Sequence, residues 1–189
     1  MQTRLGRRQE NGIRVVGQVF IAAKNADQAV NFIIKRCYVF VSDRPVFSQA
    51  INAFEYWYGP YLWNKIGYSL VPFNAGAMEH ATNIAIMRSA IDGTTGMETL
   101  WAHELSHHWW GDLATCTTAE DMWLNEGWAV YSEHLFTEAV YGEAAYKKAV
   151  RDNFLNVLQN THVAEDGYRA VSGLPHDLTY GDHVYKKGA

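Results

Sequence analysis

At 189 residues the chain is long enough to bury one core, and its 48% hydrophobic and 14% aromatic content, without low-complexity stretches, is that of a globular domain. A net charge of −4 excludes a general attraction to nucleic acid, and the absence of any run of eighteen apolar residues excludes a membrane-spanning helix. The charge is uneven: residues 1–45 hold eight of the sixteen Lys and Arg against three acids, so this basic arm reads as solvated or as paired with other parts of a longer protein. Cys37 and Cys116 make no disulfide framework and fit no cysteine-based metal spacing, and they read as buried thiols. The basic start lacks the apolar stretch of a secretion signal, so a soluble protein of open compartment is expected.

In chain order, the β-branched residues 13–21 predict a strand. Asn25 to Gln28 opens a helix carrying Val30, Ile33, Ile34, Cys37 and Tyr38 at helical spacing, and Ser42-Asp43-Arg44-Pro45 interrupts it. A helix is predicted over 46–58, stopped at Gly59-Pro60. Short strands follow over 66–71, 77–80 and 83–87, separated by turn residues. From Thr95 the chain reads as almost wholly helical. The capping-type pattern Thr95-Gly96-Met97-Glu98 starts one helix and Gly111 stops it; Thr118-Ala119-Glu120-Asp121 opens another that runs to Gly142. Residues 143–160 form a third amphipathic helix, and 161–183 read as a long polar loop. The layout divides into residues 1–45, a basic segment of strand plus helix, and 46–189, a small β-rich part followed by a mainly helical lobe.

The helical part carries the chemistry. His103-Glu104-Leu105-Ser106-His107 places two histidines four apart, on one face of a helix, where their imidazoles can grip one cation. Glu126, separated from His107 by eighteen residues, supplies a carboxylate from the next helix. Two His and one carboxylate leave a fourth position open, which distinguishes a catalytic zinc site from a closed structural one. Glu133 lies seven residues past Glu126 on the same helical face, where it either orients a ligand or faces solvent. His108, His134, His162, His176 and His183 lack ligand spacing and read as surface or packing residues, and the Trp101, Trp109, Trp110, Trp123 and Trp128 cluster reads as core packing.

Gly76-Ala77-Met78-Glu79, the zinc motif, Asn125-Glu126-Gly127-Trp128 and Tyr185-Lys186-Lys187-Gly188-Ala189 follow one another in that order. With them the chain resembles the catalytic domain of the gluzincin zinc aminopeptidases, the group of aminopeptidase N and the leukotriene-epoxide hydrolase. Tyr58 to Trp63 and Asp177-Leu178-Thr179-Tyr180 add to the likeness, which covers roughly residues 45–189.

The resemblance implies an α+β, thermolysin-like catalytic domain with one zinc ion per chain, acting on peptides with a free N-terminus. His103, His107 and Glu126 would bind the metal, and Glu104 would take a proton from the attacking water and later give one to the leaving amine. Glu79 would clamp the substrate's α-ammonium, while Gly76, Ala77 and Met78 would line the peptide as an edge strand does. Tyr185 would stabilise the oxyanion, with Tyr180 a competitor for that role. Two departures stand out: His80 follows the motif glutamate where the family usually has Asn, and the chain stops at Ala189, close after Tyr185. The resemblance therefore implies missing N- and C-terminal domains of a parent protein. Epoxide hydrolysis in the same site and a non-catalytic zinc-binding fragment are the alternative readings.

Overall fold

A computed structural model of the chain describes residues 18–22, 46–90 and 94–189. Helix α1, Val46–Tyr58, falls where the sequence predicts it and ends at Gly59, whose φ of +94° is a left-handed conformation that glycine adopts without a Cβ penalty. Four strands follow the predicted pattern: β1 Gln18–Ala22, β2 Lys65–Val71, β3 Ala77–Met78 and β4 Ile84–Met87. They form one sheet in the order β1-β2-β4-β3, with β2 and β4 parallel and the outer pairs antiparallel. Residues 13–17, the helix predicted from Asn25, and Cys37 lie outside the described residues.

β3 is shorter than the predicted 77–80. Its pairing with β4 ends at Met78↔Ala85, because a turn begins at once: the Asn83 N–H donates to the His80 carbonyl at 2.9 Å, and Thr82 adopts φ +67°. Among the described residues β3 is an edge strand, continued by Gly76, whose carbonyl accepts the Met87 N–H at 3.2 Å.

The helical lobe includes α2 Glu98–Ser106, α3 Glu126–Tyr141, α4 Glu143–Asn156, which continues through a π turn, Val157–Thr161, to His162–Ala164, and the short α5 Asp182–Tyr185. Together with the sheet this is an α+β architecture. The core joins both parts: Trp101, Ala102 and Leu105 of α2 bury with Ile84 and Ile86 of β4, Phe54 of α1 and Phe136 of α3. Each such large side chain contributes roughly 1.5–3 kcal/mol by leaving water. The Tyr58 hydroxyl donates to Ser132 Oγ at 2.9 Å, and Ser132 donates in turn to the Trp128 carbonyl at 2.7 Å, which locks α1 to α3.

Four local expectations need correction. First, α2 ends at Ser106 rather than near Gly111: the Trp109 and Trp110 amides both turn back to the Ser106 carbonyl, at 2.9 and 3.1 Å, so His107 is the C-cap and the motif runs off the end of the helix. No side chain caps its start; Thr95 contributes only its carbonyl, to the Glu98 N–H. Second, Thr118 opens a 3-10 turn, Ala119–Leu124, broken by non-helical Asp121, and Glu126 is the first residue of α3. Third, residues 161–183 hold a 3-10 turn at His176–Leu178 and the start of α5, and are no plain loop. Fourth, Cys116 is half-buried.

Candidate active site

With the apolar side of α2 committed to the core, His103 and His107 turn towards α3, their rings 4.8 Å apart between centroids. Both Nε2 atoms converge on one oxygen of Glu126: His103 Nε2 is 3.2 Å and His107 Nε2 3.4 Å from Glu126 Oε2. All three residues are buried, at 7% exposure or less. The opposite ring nitrogens are engaged elsewhere. His103 Nδ1 donates to Glu133 Oε1 at 2.8 Å, and His107 Nδ1 donates to the Trp110 carbonyl at 2.9 Å. With both Nδ1 atoms donating outward, each Nε2 is the ring atom turned to Glu126, where a proton or a metal ion can sit.

These residues fit a zinc ion. Ligand atoms at ~2.0–2.2 Å from a tetrahedral metal stand about 3.3–3.6 Å from one another, and the two N–O separations here, 3.2 and 3.4 Å, lie at or within about 0.1 Å of that edge. Electrostatics agree. Burial disfavours the charged form of His103, yet the hydrogen bonds to Glu126 and Glu133 outweigh it and its pKa rises. Burial likewise works against the Glu126 carboxylate, but the bonds from His103 and His107 hold its pKa down. The cluster favours positive charge at its centre.

Glu104 points to the same place from the residue after His103. Its carboxylate, an Nε2 or Nδ1 atom of His107 and the Glu79 carboxylate all lie within 4.8 Å of one another. Burial raises the Glu104 pKa to about 7, against the lowering influence of His103 and His107. A carboxyl poised near neutrality can both take and return a proton. Glu79 is half-buried at the end of β3, while Gly76 and Met78 are exposed and Ala77 is half-buried.

Tyr185, the last residue of α5, stacks on His103 with ring centroids 6.3 Å apart and planes 10° from parallel. Burial, followed by the charge of Glu126, pushes its pKa well up, so the phenol stays a proton donor. Tyr180 is 65% exposed, and of the two tyrosines it is Tyr185 that stacks on His103. Asp177 and His80 are exposed as well.

The segment bearing Tyr185 is seated by a close approach. A Cβ on Gly127 would come within 2.8 Å of the Gly188 carbonyl carbon, so the residue after Glu126 and the residue three past Tyr185 meet backbone to backbone. Of the tryptophans, Trp101 and Trp109 belong to the core, and Trp110 and Trp128 stack on each other at 4.6 Å.

Three histidines set aside in the sequence turn out buried. His108 is fully enclosed: Nδ1 donates to the Tyr61 hydroxyl at 2.8 Å, Tyr61 donates to the Lys65 carbonyl, and His108 Nε2 accepts the Thr82 N–H at 3.3 Å. Burial, opposed by a backbone contact with His80, drops its pKa to about 4, in keeping with this neutral ring. His108 thereby ties the turn after Glu79 to the end of the zinc helix. His134 of α3 is buried, and His183 is buried two residues before Tyr185. None of these roles follows from spacing; only the tertiary fold supplies the partners.

Comparison with known proteins identifies the family. The model of the peptidase family M1 domain matches residues 45–189. Leucine aminopeptidase 2 of Aspergillus terreus is 40% identical over 96 residues, which are 50% of this chain and 16% of that protein. Leukotriene A-4 hydrolase of Xenopus laevis is 37% identical over 87 residues, 45% of this chain and 14% of that protein. Native leukotriene A4 hydrolase from Saccharomyces cerevisiae superposes with a TM-score of 0.66 at 25% identity, over 83% of this chain and 26% of that one. The chain thus spans 14–16% of the length of the two curated relatives. It belongs to peptidase family M1.

Proposed function

We propose that this chain carries the active centre of a zinc-dependent aminopeptidase that removes N-terminal residues from peptides. The observation that carries the reading is the convergence of two imidazole Nε2 atoms on one Glu126 oxygen, with Glu104 and Glu79 grouped beside His107. His103, His107 and Glu126 hold the metal, steadied by Glu133 and the Trp110 carbonyl. Zinc supplies Lewis acidity there and a water of lowered pKa, near ~7.

The remaining work belongs to side chains. Glu104 accepts the proton of the attacking water and delivers it to the leaving amine. Glu79 binds the substrate's α-ammonium by a charge-assisted hydrogen bond, which restricts cleavage to the first residue. The exposed edge formed by Gly76, Ala77 and Met78 takes the substrate backbone as an added strand. Tyr185 donates its hydroxyl hydrogen to the substrate carbonyl oxygen as negative charge develops on it.

Peptides with free N-termini are the substrates, and further domains of a parent protein complete the cleft. The test is metal analysis together with a panel of aminoacyl amides, an N-acetylated control and an epoxide lipid, assayed on this chain and on a version extended at both ends. Stoichiometric zinc and chelator-sensitive hydrolysis of the free-amine substrates are expected. Hydrolysis of the epoxide alone, or zinc retention with no turnover by either version, overturns the reading.

A further inference from the structure

Helix α5 is four residues long, too short to persist on its own hydrogen bonds, yet it carries Tyr185. A single carboxylate organises it. Glu165 accepts the Asp182 N–H on Oε1 and the His183 N–H on Oε2, the latter at 3.2 Å. His183 Nδ1 donates to the same Oε2, and His183 Nε2 accepts the Arg169 N–H at 3.1 Å, so both ring nitrogens are used. The pair is enclosed: the side chains of His183 and Glu165 are 1% and 9% exposed. Gly181 makes the approach possible, because a Cβ there would collide with the Glu165 carboxylate. On the far side Val184 is fully buried, and Asn153 of α4 donates to the Lys186 carbonyl at 2.8 Å.

We propose that Glu165 and His183 are positioning residues for Tyr185: a buried carboxylate–imidazole clamp that fixes α5 and so aims the tyrosine hydroxyl at the reacting carbonyl. The proposal rests on the role given to Tyr185 above. What the two residues touch is the backbone leading to Tyr185, and their influence on the reaction passes through that phenol. A donor that must meet charge only in the transition state is sensitive to small displacement, and misplacement by about 1 Å costs on the order of 100-fold in rate. Bound substrate is held by other groups, so the loss falls on kcat and leaves KM nearly unchanged.

The experiment is a double-mutant cycle with Tyr185→Phe, joined to amide hydrogen exchange, on the zinc-loaded chain and its extended version. Glu165→Gln and His183→Leu are expected to lower kcat by about 10- to 100-fold, with KM changed by less than about threefold. His183→Asn, which keeps a donor near the Nδ1 position, recovers most of the loss. In the Tyr185→Phe background the same changes cost almost nothing further. Exchange at residues 182–186 accelerates in Glu165→Gln while exchange in α2 does not, and this arm reads the clamp whether or not a given version turns over. Equal losses in both backgrounds, or unchanged exchange at 182–186, overturn the proposal. Full activity of Tyr185→Phe alone would instead refute the role of the tyrosine, leaving the exchange result to report on the clamp separately.

Discussion

His103 is gripped from both sides by one helix: Nδ1 donates to Glu133 Oε1 at 2.8 Å while Nε2 faces Glu126 Oε2 at 3.2 Å. Seven residues make two turns of α3, so a single helix face supplies one candidate ligand and orients another. Glu133→Ala is expected to weaken zinc binding by about 10- to 100-fold. Competition against a chelator of known affinity measures this, and an unchanged affinity would show that Glu133 gives the histidine no support.

Glu104 is buried beside the histidines but is not needed as a ligand. Glu104→Gln should therefore retain one zinc per chain and lose activity by on the order of 10²–10⁴-fold. Metal content and turnover are read on the same preparation. Loss of zinc together with activity would assign Glu104 to the metal instead of the proton.

Removing the charge of Glu79 should act on substrate binding. A charge-assisted hydrogen bond contributes roughly 1.5–3 kcal/mol, so Glu79→Gln raises KM for free-amine aminoacyl amides about tenfold or more. The discrimination between these and N-acetylated analogues narrows accordingly. A KM that stays constant for both substrate types would place the amine clamp elsewhere.

His108 serves the same region from beneath. His108→Leu leaves the Thr82 N–H and the Tyr61 hydroxyl each short of a buried partner, at a cost of about 2–3 kcal/mol. Urea denaturation of the zinc-loaded protein is the measurement. His108→Gln, which can still offer an acceptor to Thr82, should be the milder change, and equal midpoints for the two variants would count against this account.

The candidate metal-binding set was legible because it obeys local rules. Two histidines four apart and a glutamate on the next helical segment need no knowledge of the tertiary fold, and the spacing of Glu126 and Glu133 marks a shared face. The predicted helix over 46–58 matched for the same reason, being bounded by Ser42 to Pro45 and by Gly59-Pro60. The misses lie where tertiary partners override local signals. The helix before Gly111 stops early because the Trp109 and Trp110 amides turn back to Ser106 and so bring the Trp110 carbonyl under His107 Nδ1. Thr118 leads a 3-10 turn because Asp121 leaves the helical region. His108 and His183 looked idle in sequence, since their partners Thr82, Tyr61, Glu165 and Arg169 stand at no helical or strand period from them.

The meeting of Gly127 with Gly188 sets the tolerance of the whole centre. Two peptide backbones in contact have no rotamer between them to absorb a shift, so the segment after Tyr185 and the first turn of α3 move as one piece. A shift in the chain beyond Tyr185 is therefore passed to the first turn of α3, where Glu126 stands, with no side chain in between. Tyr185 and Glu126 are geared together by the absence of two side chains.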